Sequence, residues 1–198
     1  MKFILATTNQ GKAKEILAFL GSKHEVKTLI DIGFSDEIIE DGKTFEANAL
    51  IKAKAIHNWL KADYDYILAD DSGLEVDALN GEPGVDTANW MGTDTPYEYK
   101  TSKMLELLEG NPLRTARFVS VVAAISYKGK VHTVRGTLEG EISHKKAGQG
   151  GFGYDPIFYV SKLKKNLAEL EVSEKNKISH RAKAMKLICK ELGVNSHE

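Results

Sequence analysis

A β-α-β unit at the start of the chain is the strongest constraint on its fold. KFILAT predicts a short buried strand, and KAKEILAFLG predicts a helix with one apolar stripe that ends at Gly21. HEVKTLID predicts a second strand directly after that helix. Because this order of elements is typical of α/β proteins, we expect an α/β sheet.

The rest of the chain predicts further helices and an antiparallel region. A long helix has Thr44 as a favourable N-cap, and TPYEYKTSKMLELLEG predicts another helix. Two long strands that meet at Lys128-Gly129 predict a hairpin. We therefore expect a single α/β domain over residues 1–198, with a mixed sheet in two lobes, flanking helices and a central substrate cleft.

Composition excludes several classes of protein. The 198 residues carry a net charge of −1, which argues against a nucleic-acid-binding module. The longest apolar run, FVSVVAAI, is far too short to span a membrane, and no targeting segment is recognisable. The single cysteine, Cys189, excludes an internal disulfide framework. We therefore expect a cytoplasmic protein with neither nucleic acid nor membrane as a partner.

The loop ATTNQGKAKE joins the first predicted strand to the first helix. Backbone N–H groups and the helix dipole at such a junction can hold a phosphate, and Thr8, Asn9 and Lys12 add polar and cationic side chains. The Walker A pattern is absent. An ordinary capped turn with solvated lysines explains the same residues, so this loop alone does not establish phosphate binding.

Two adjacent carboxylates, Asp70 and Asp71, follow the apolar run Tyr66–Ala69. Neighbouring side chains on a strand point to opposite faces, so the two acids are expected to differ in environment. Carboxylates at the end of a buried strand suit Mg²⁺, which is usually held by one or two acids and substrate phosphates. A turn in which Asp71 caps the Ser72-Gly73 loop is the alternative.

The segment GQGGFGYDP contains four glycines within six residues. Such a run indicates unusual backbone angles or a close approach of the backbone to a ligand. Phe152 and Tyr154 within it could provide a stacking face for a base. A tight, bulged turn between strands is the alternative.

Two groups of polar side chains complete the set. Asn48 and Lys52 lie one turn apart on the same predicted helix and share a face. KNKISHRAKA places Lys175, His180 and Arg181 at the start of the final helix, where the dipole disfavours cations unless an anion or a carbonyl oxygen is bound. Together with the loops, these groups indicate a site for a nucleoside triphosphate.

Five motifs in the same order resemble the inosine/xanthosine triphosphate pyrophosphatases, a family that removes noncanonical purine nucleotides. They are ATTNQGK, FEANALIKA, ADDSGLEVDALNGEPG, GGFGYDPIF and ISHRAKA, and they cover essentially the whole chain. The resemblance implies Mg²⁺-dependent hydrolysis of ITP, dITP and XTP to the monophosphate and pyrophosphate, in a homodimer.

The resemblance also implies roles for individual residues. Asp71 is the expected general base, and Lys12 and Lys52 are expected to stabilise phosphate charge. Glu40 and Asp71 match the metal-linked acids, with Asp70 nearby. The substrate-binding positions that the resemblance implies are Thr7, Thr8, Asn9, Gln10, Gly11, Lys12, Asn48, Ser72, Phe152, Gly153, Tyr154, Asp155, Lys175, His180 and Arg181.

The chain departs from the family pattern at two places. The family often has a glutamate before the helix asparagine, where this chain has Ala47, with Glu46 one residue earlier. After GEPGV the family commonly has Ala-Arg-Tyr, where this chain has Ala88-Asn89-Trp90. The roles of that acid and of a cation in that loop are therefore not carried over.

Base selectivity has a chemical explanation. Hypoxanthine and xanthine present an acceptor oxygen at C6, where adenine presents a donor amino group. Donors from Arg181, His180 or loop N–H groups would pair with the oxygen and be left unpaired against adenine, which can discriminate on the order of 10⁴-fold. Two alternatives stay open: a pyrophosphatase for other modified nucleoside triphosphates, and a nucleotide sensor that binds without turnover.

Overall fold

The computed structural model describes residues 1–194 and has the predicted α/β architecture. Its strands are β1 (Lys2–Leu5), β2 (Glu25–Thr28), β3 (Tyr66–Val76), β4 (Thr115–Ser126), β5 (Val131–Ile142), β6 (Phe158–Val160) and β7 (Lys165–Asn166). The α-helices of the described chain are α1 (Gln10–Leu20), α2 (Phe45–Trp59), α3 (Tyr97–Leu107), α4 (Val172–Ile178) and α5 (His180–Leu192).

The strands form one mixed sheet in the order β2-β1-β3-β4-β5-β6-β7. β1 pairs in parallel with both β2 and β3, which is the pairing that a β-α-β opening produces. β6 pairs antiparallel with β5 and with β7. The predicted mixed sheet is therefore confirmed.

Local capping fixes the ends of the first two helices. The Thr44 hydroxyl accepts a hydrogen bond from the backbone N–H of Ala47 at 3.1 Å, as expected of an N-cap. Gly21 ends α1 with a φ of 67° and donates its N–H to the Leu17 carbonyl at 3.0 Å. Both ends lie where the sequence predicts them.

β3 is longer than predicted. The sequence predicts a strand that ends at Asp70, but β3 continues through Ser72 to Val76. The parallel partner β1 ends at Leu5, which lies opposite Leu68. The two aspartates therefore lie within a strand, just beyond the end of its parallel neighbour, which is where α/β sheets present ligand-binding groups.

The final helix is also divided differently from the prediction. Lys175 lies in the short helix α4, and Ser179 is extended, with φ −61° and ψ 152°, before α5 begins at His180. The expectation that Lys175, His180 and Arg181 share one helix start is therefore wrong for Lys175. It is correct for the other two residues.

The chain forms two compact units. The first contains residues 1–71, 120–136 and the described part from residue 181 onward. Its core includes Leu5, Leu68, Val122 and Ile188, together with the Cys189 thiol. Burial raises the pKa of that thiol to about 11, as expected of a core side chain.

The second unit contains residues 72–119 and 137–180. Its core includes Leu74, Met104, Phe118, Phe158 and Leu167. No helix among the described residues is long and apolar enough to cross a membrane. The expectation of one domain with a central cleft stays a prediction.

Candidate active site

The predicted phosphate loop joins β1 to α1 in the first unit. The Asn9 side chain accepts a hydrogen bond from the N–H of Lys12 at 3.1 Å and caps the helix. The Thr7 hydroxyl accepts from the N–H of Asn9 at 3.2 Å, and Thr8, Asn9 and Gln10 are exposed. Gly11 is half-buried in the first turn of the helix. A fixed turn at a helix N-terminus with exposed polar groups is suited to an anion.

Asp70 is held by cations in the buried part of this unit. One carboxylate oxygen lies 3.2 Å from Nζ of Lys12. The other accepts from Nε of Arg181 at 3.1 Å and from the Ser120 hydroxyl at 3.3 Å. Burial alone would raise the pKa of Asp70, but Lys12 and Arg181 outweigh it and hold that pKa well below its usual range. Asp70 is therefore ionised at neutral pH and positions two cations.

Arg181 is predicted to read a base edge, and the structure places it in a buried ion-pair network. Its Nη1 atom donates to Glu15 and its Nε atom donates to Asp70. Glu15 is not among the site residues that the sequence predicts. It lies three residues after Lys12 on α1, and that spacing on a helix face was the available signal.

Asp71 has different neighbours from Asp70. Nζ of Lys52 lies 3.6 Å from Oδ1 of Asp71 and 2.6 Å from Oε2 of Glu40, so one ammonium forms ion pairs with two acids. Burial raises the pKa of Asp71, and the negative charge of Glu40 adds to the rise, against the opposing effect of Lys52. The two aspartates are thus inequivalent, as strand alternation predicts.

Asn48 fixes the segment that carries Glu40. Its side-chain oxygen accepts from the N–H of Gly42 at 2.8 Å. A Cβ at Gly42 would lie 2.5 Å from that same oxygen, so only glycine allows this approach. Asn48 and Lys52 are both buried on one face of α2, which confirms their predicted juxtaposition.

Glu40 and Asp71 fit a divalent cation better than Asp70 does. Among residues 1–194, no group of three or more His, Cys, Asp or Glu side chains forms a ready-made metal site. Glu40 and Asp71 nevertheless converge on one ammonium, and hard carboxylate oxygens are the donors that Mg²⁺ takes alongside substrate phosphates. These two residues fit Mg²⁺, whereas the Asp70 oxygens are already occupied by cations and Ser120.

Glu46, the acid that precedes Ala47, has a separate partner. Its carboxylate lies 3.1 Å from Nε of Arg135 on β5. The Arg135 guanidinium lies over the Phe45 ring at 5.7 Å. Glu46 therefore forms an ion pair on α2 apart from the acids that contact Lys52.

The predicted nucleoside residues of the second unit form a compact group. Nζ of Lys175 lies 2.7 Å from Oδ2 of Asp155, and both side chains are buried. The same oxygen accepts from the N–H of Phe152 at 2.8 Å, and the Lys175 ammonium lies 4.6 Å from the Phe152 ring centroid. At Gly151, with φ +71°, a Cβ would overlap the Asp155 carboxylate. The loop conformation thus depends on this buried pair.

Only one of the two loop aromatics offers a face to solvent. Phe152 is 42% exposed, whereas Tyr154 is 1% exposed and belongs to the core of the second unit. The Tyr154 ring packs edge-on against Tyr97, with centroids 5.4 Å apart, and at an interplanar angle of 54° against Trp90, with centroids 6.3 Å apart. Gly153, between the two aromatics, has φ +66°. Phe152 can therefore stack on a base, and Tyr154 anchors the loop.

The two other predicted residues of this unit lie on different elements. The His180 ring is buried and stacks on Phe118, with centroids 4.9 Å apart and an interplanar angle of 14°. Ser72 is half-buried on β3, directly after Asp71. His180 is thus held in a fixed orientation by an aromatic neighbour.

A separate cavity of about 980 Å³ lies in the first unit, at the amino ends of β1 and β3. Its walls include Lys2, Tyr64, Tyr66, Tyr127 and Lys130, and none of the residues that line it is a predicted site residue. α/β sheets place ligands at the carboxyl ends of their strands, so this cavity is not the candidate active site.

Comparison with known proteins gives one consistent family. The model of the Ham1 family matches residues 3–191. A protein of Desulforamulus reducens named dITP/XTP pyrophosphatase is 46% identical over 94% of this chain and 92% of its own length. One of Leuconostoc mesenteroides with the same name is 47% identical over 98% of each chain. The Ham1 protein of Staphylococcus aureus superposes with a TM-score of 0.88, at 37% identity over 98% of each chain.

Proposed function

Because this chain belongs to the Ham1 family, we propose that it hydrolyses noncanonical purine nucleoside triphosphates to the nucleoside monophosphate and pyrophosphate. The substrates are ITP, dITP and XTP. The observation that carries the proposal is that Lys52 lies between Glu40 and Asp71, on the same unit as the capped Thr7–Lys12 loop. Such a cluster suits a triphosphate and its metal ion.

In the reaction, a water attacks the α-phosphorus, and the bond from that phosphorus to the bridging oxygen of pyrophosphate breaks. Asp71 accepts the proton of the attacking water, since a carboxylate is a suitable general base and Asp71 lies in the cluster formed with Lys52 and Glu40. Lys12 and Lys52 stabilise the negative oxygens, because positioning and electrostatics dominate phosphoryl transfer. Asp70 positions Lys12 and Arg181 without touching the substrate.

The implied metal ion fits the same cluster. Glu40 and Asp71 would hold Mg²⁺, which when bound supplies charge neutralisation for the phosphate oxygens. Thr7, Thr8, Asn9, Gln10 and Gly11 would bind the phosphates through the helix N-terminus, and Asn48 would keep the Glu40 segment in place. Mg²⁺ dependence is part of the proposal.

The base is proposed to stack on the exposed face of Phe152, whose other neighbour is the Lys175 ammonium. N–H and O–H groups of the loop, of Ser72 and of His180 would donate to the C6 oxygen of hypoxanthine or xanthine and would be left unpaired against the amino group of adenine. The buried Asp155 and Tyr154 keep the loop in this conformation.

Assembly and location complete the proposal. We propose a cytoplasmic homodimer, in keeping with the family resemblance and with large exposed apolar side chains such as Tyr99 and Leu107 on α3, which a partner could cover. Sedimentation equilibrium of the purified chain would test the dimer. A monomer at micromolar concentration would contradict it.

One assay tests the function. Pyrophosphate and orthophosphate release are measured with ITP, dITP, XTP, GTP, ATP and modified pyrimidine triphosphates, with and without Mg²⁺. We expect pyrophosphate from the first three and a kcat/KM for ATP lower by orders of magnitude. Equal values for ATP and ITP would contradict the proposal. A preference for modified pyrimidines would favour a different pyrophosphatase, and ITP binding without turnover would favour a sensor.

A further inference from the structure

Lys100 is a buried lysine that contacts a backbone carbonyl and an aromatic ring. It lies on α3 in the second unit and is 1% exposed. Its ammonium donates to the Ala88 carbonyl at 2.6 Å and lies 5.0 Å from the centroid of the Tyr97 ring. No carboxylate of the described chain pairs with it, and burial lowers the pKa of Lys100.

A buried ammonium needs an explanation. Removing such a charge from water costs several kcal/mol, and a carbonyl and a ring offset that cost only in part. A methionine would fill the same space without the penalty. We therefore expect the role of Lys100 to depend on its two contacts, the Ala88 carbonyl and the Tyr97 ring.

The first contact fixes the segment that follows Gly84. The Ala88 carbonyl is held by Lys100, and two residues later the Trp90 ring packs on Tyr154 with centroids 6.3 Å apart. Lys100 thus holds in place the segment that carries Trp90, one of the aromatic neighbours of Tyr154.

The second contact fixes another aromatic neighbour of Tyr154, the Tyr97 ring. The Tyr97 ring lies under the Lys100 ammonium and packs edge-on against Tyr154 at 5.4 Å. A Cβ at Gly153 would lie 3.6 Å from Cε1 of Tyr97, so this ring also lies against the backbone of the loop. Both contacts of Lys100 therefore lead to the residues directly after Phe152.

We infer that Lys100 is a positioning residue for the nucleoside loop, defined here as residues 151–155. It does not touch the substrate. It holds Ala88 and Tyr97 in the places where they brace Tyr154 and Gly153, and so sets the orientation of the Phe152 ring. That orientation determines how a base stacks on Phe152, and this part of the inference rests on the proposed function.

The activity test compares Lys100→Met with Lys103→Met, a substitution on the same helix at a side chain that contacts Glu106. Lys100→Met is expected to raise the KM for ITP about tenfold and to leave kcat within about twofold, because it misplaces a binding surface and no reacting group. Lys100→Arg is expected to recover much of the loss. Lys103→Met should match the wild type.

A double variant separates positioning from a general loss of structure. In a Phe152→Ala background, Lys100→Met should have no further effect on KM, since it acts through the ring that is missing. Additive effects, or an unchanged KM in Lys100→Met, would overturn the inference. If the wild type does not cleave ITP, the proposed function is wrong. Amide hydrogen exchange then still tests the role of Lys100.

That measurement is amide hydrogen exchange, which needs no activity. Lys100→Met is expected to increase exchange at the amides of residues 151–155, including the Phe152 N–H that donates to Asp155. Lys103→Met should leave them unchanged. Equal protection of these amides in the wild type and in Lys100→Met would overturn the inference whatever the protein hydrolyses.

Discussion

Nε of Arg181 lies 3.1 Å from Oδ2 of Asp70, and this buried contact separates the tasks of two adjacent aspartates. Asp70 is committed to Arg181 and Lys12, so its carboxylate is neutralised within the protein. Asp71 shares the Lys52 ammonium with Glu40 and keeps a raised pKa. Two adjacent positions on β3 thus hold an acid paired with buried cations, Asp70, and the acid proposed as the general base, Asp71.

The two Asp→Asn variants should differ, because one should lose activity and the other should lose stability. Asp71→Asn is expected to lower kcat by about 10²- to 10⁴-fold and to leave the free energy of unfolding unchanged or slightly higher, because that charge is unfavourable when buried. Asp70→Asn is expected to destabilise by about 3–5 kcal/mol, since it leaves buried cations without their anion. Steady-state kinetics and urea unfolding measure both. Near-normal turnover in Asp71→Asn would show that another group is the base.

Asp70 also makes stability depend on pH. Burial opposes its ionisation, but Lys12 and Arg181 outweigh burial, so its pKa is lower in the folded than in the unfolded chain, where it is about 3.9. Its stabilising contribution is therefore complete above that value and is lost as pH falls below it. The difference in unfolding free energy between the wild type and Asp70→Asn should shrink between about pH 5 and about pH 3. A constant difference would show that Asp70 does not contribute in this way.

Metal dependence can be assigned to one acid with a close control. Chelation should abolish pyrophosphate release and added Mg²⁺ should restore it, and Glu40→Gln should raise the half-activating Mg²⁺ concentration at least about tenfold. Glu46→Gln removes the acid that pairs with Arg135 and should leave that concentration unchanged. The same shift in both variants would mean a general charge effect.

The nucleoside loop should not tolerate a side chain at Gly151. Gly151→Ala and Gly110→Ala place alanine at nearly equal φ, +71° and +70°, so both lose about 1–2 kcal/mol to backbone strain. Only at Gly151 does the new Cβ overlap the Asp155 carboxylate, whereas nothing lies within 4 Å at Gly110. The KM for ITP should rise about tenfold in Gly151→Ala alone. Equal KM values in the two variants would contradict this account of the loop.

Two arginines of the second unit should differ in their effect on stability. Arg114 is buried and donates to three backbone carbonyls, those of Leu108, Ile142 and Ser143. Arg114→Met removes all three of these hydrogen bonds, although the Leu108 carbonyl keeps the Asn111 N–H, and should cost about 2–4 kcal/mol. Arg117 forms partly exposed ion pairs with Asp77 and Glu139, and Arg117→Met should cost about 1 kcal/mol or less. Urea unfolding of both variants measures the difference, and equal losses would contradict it.

Features set by neighbouring residues were predictable from the sequence. The Thr44 cap depends on a residue three positions away, and the shared face of Asn48 and Lys52 follows from helical spacing. The helix stop at Gly21 is equally local. Each of these needs only one turn of chain to be specified.

Features that depend on distant packing were not predictable. Arg181 meets Asp70 across 111 positions and Glu15 across 166 positions, and no short motif encodes either contact. The extension of β3 beyond Asp71 depends on neighbouring strands rather than on its own polar residues. Lys100 has the sequence signature of a solvated helix lysine, and only the fold shows that it is buried.

The position of Lys52 between Glu40 and Asp71 has a consequence for how the protein depends on its surroundings. The chain supplies its own counter-charge to these acids, so folding does not have to wait for an ion, unlike small domains that are unfolded without zinc. If Mg²⁺ binds these acids as proposed, its availability sets how fast each molecule works, while the fold forms without it.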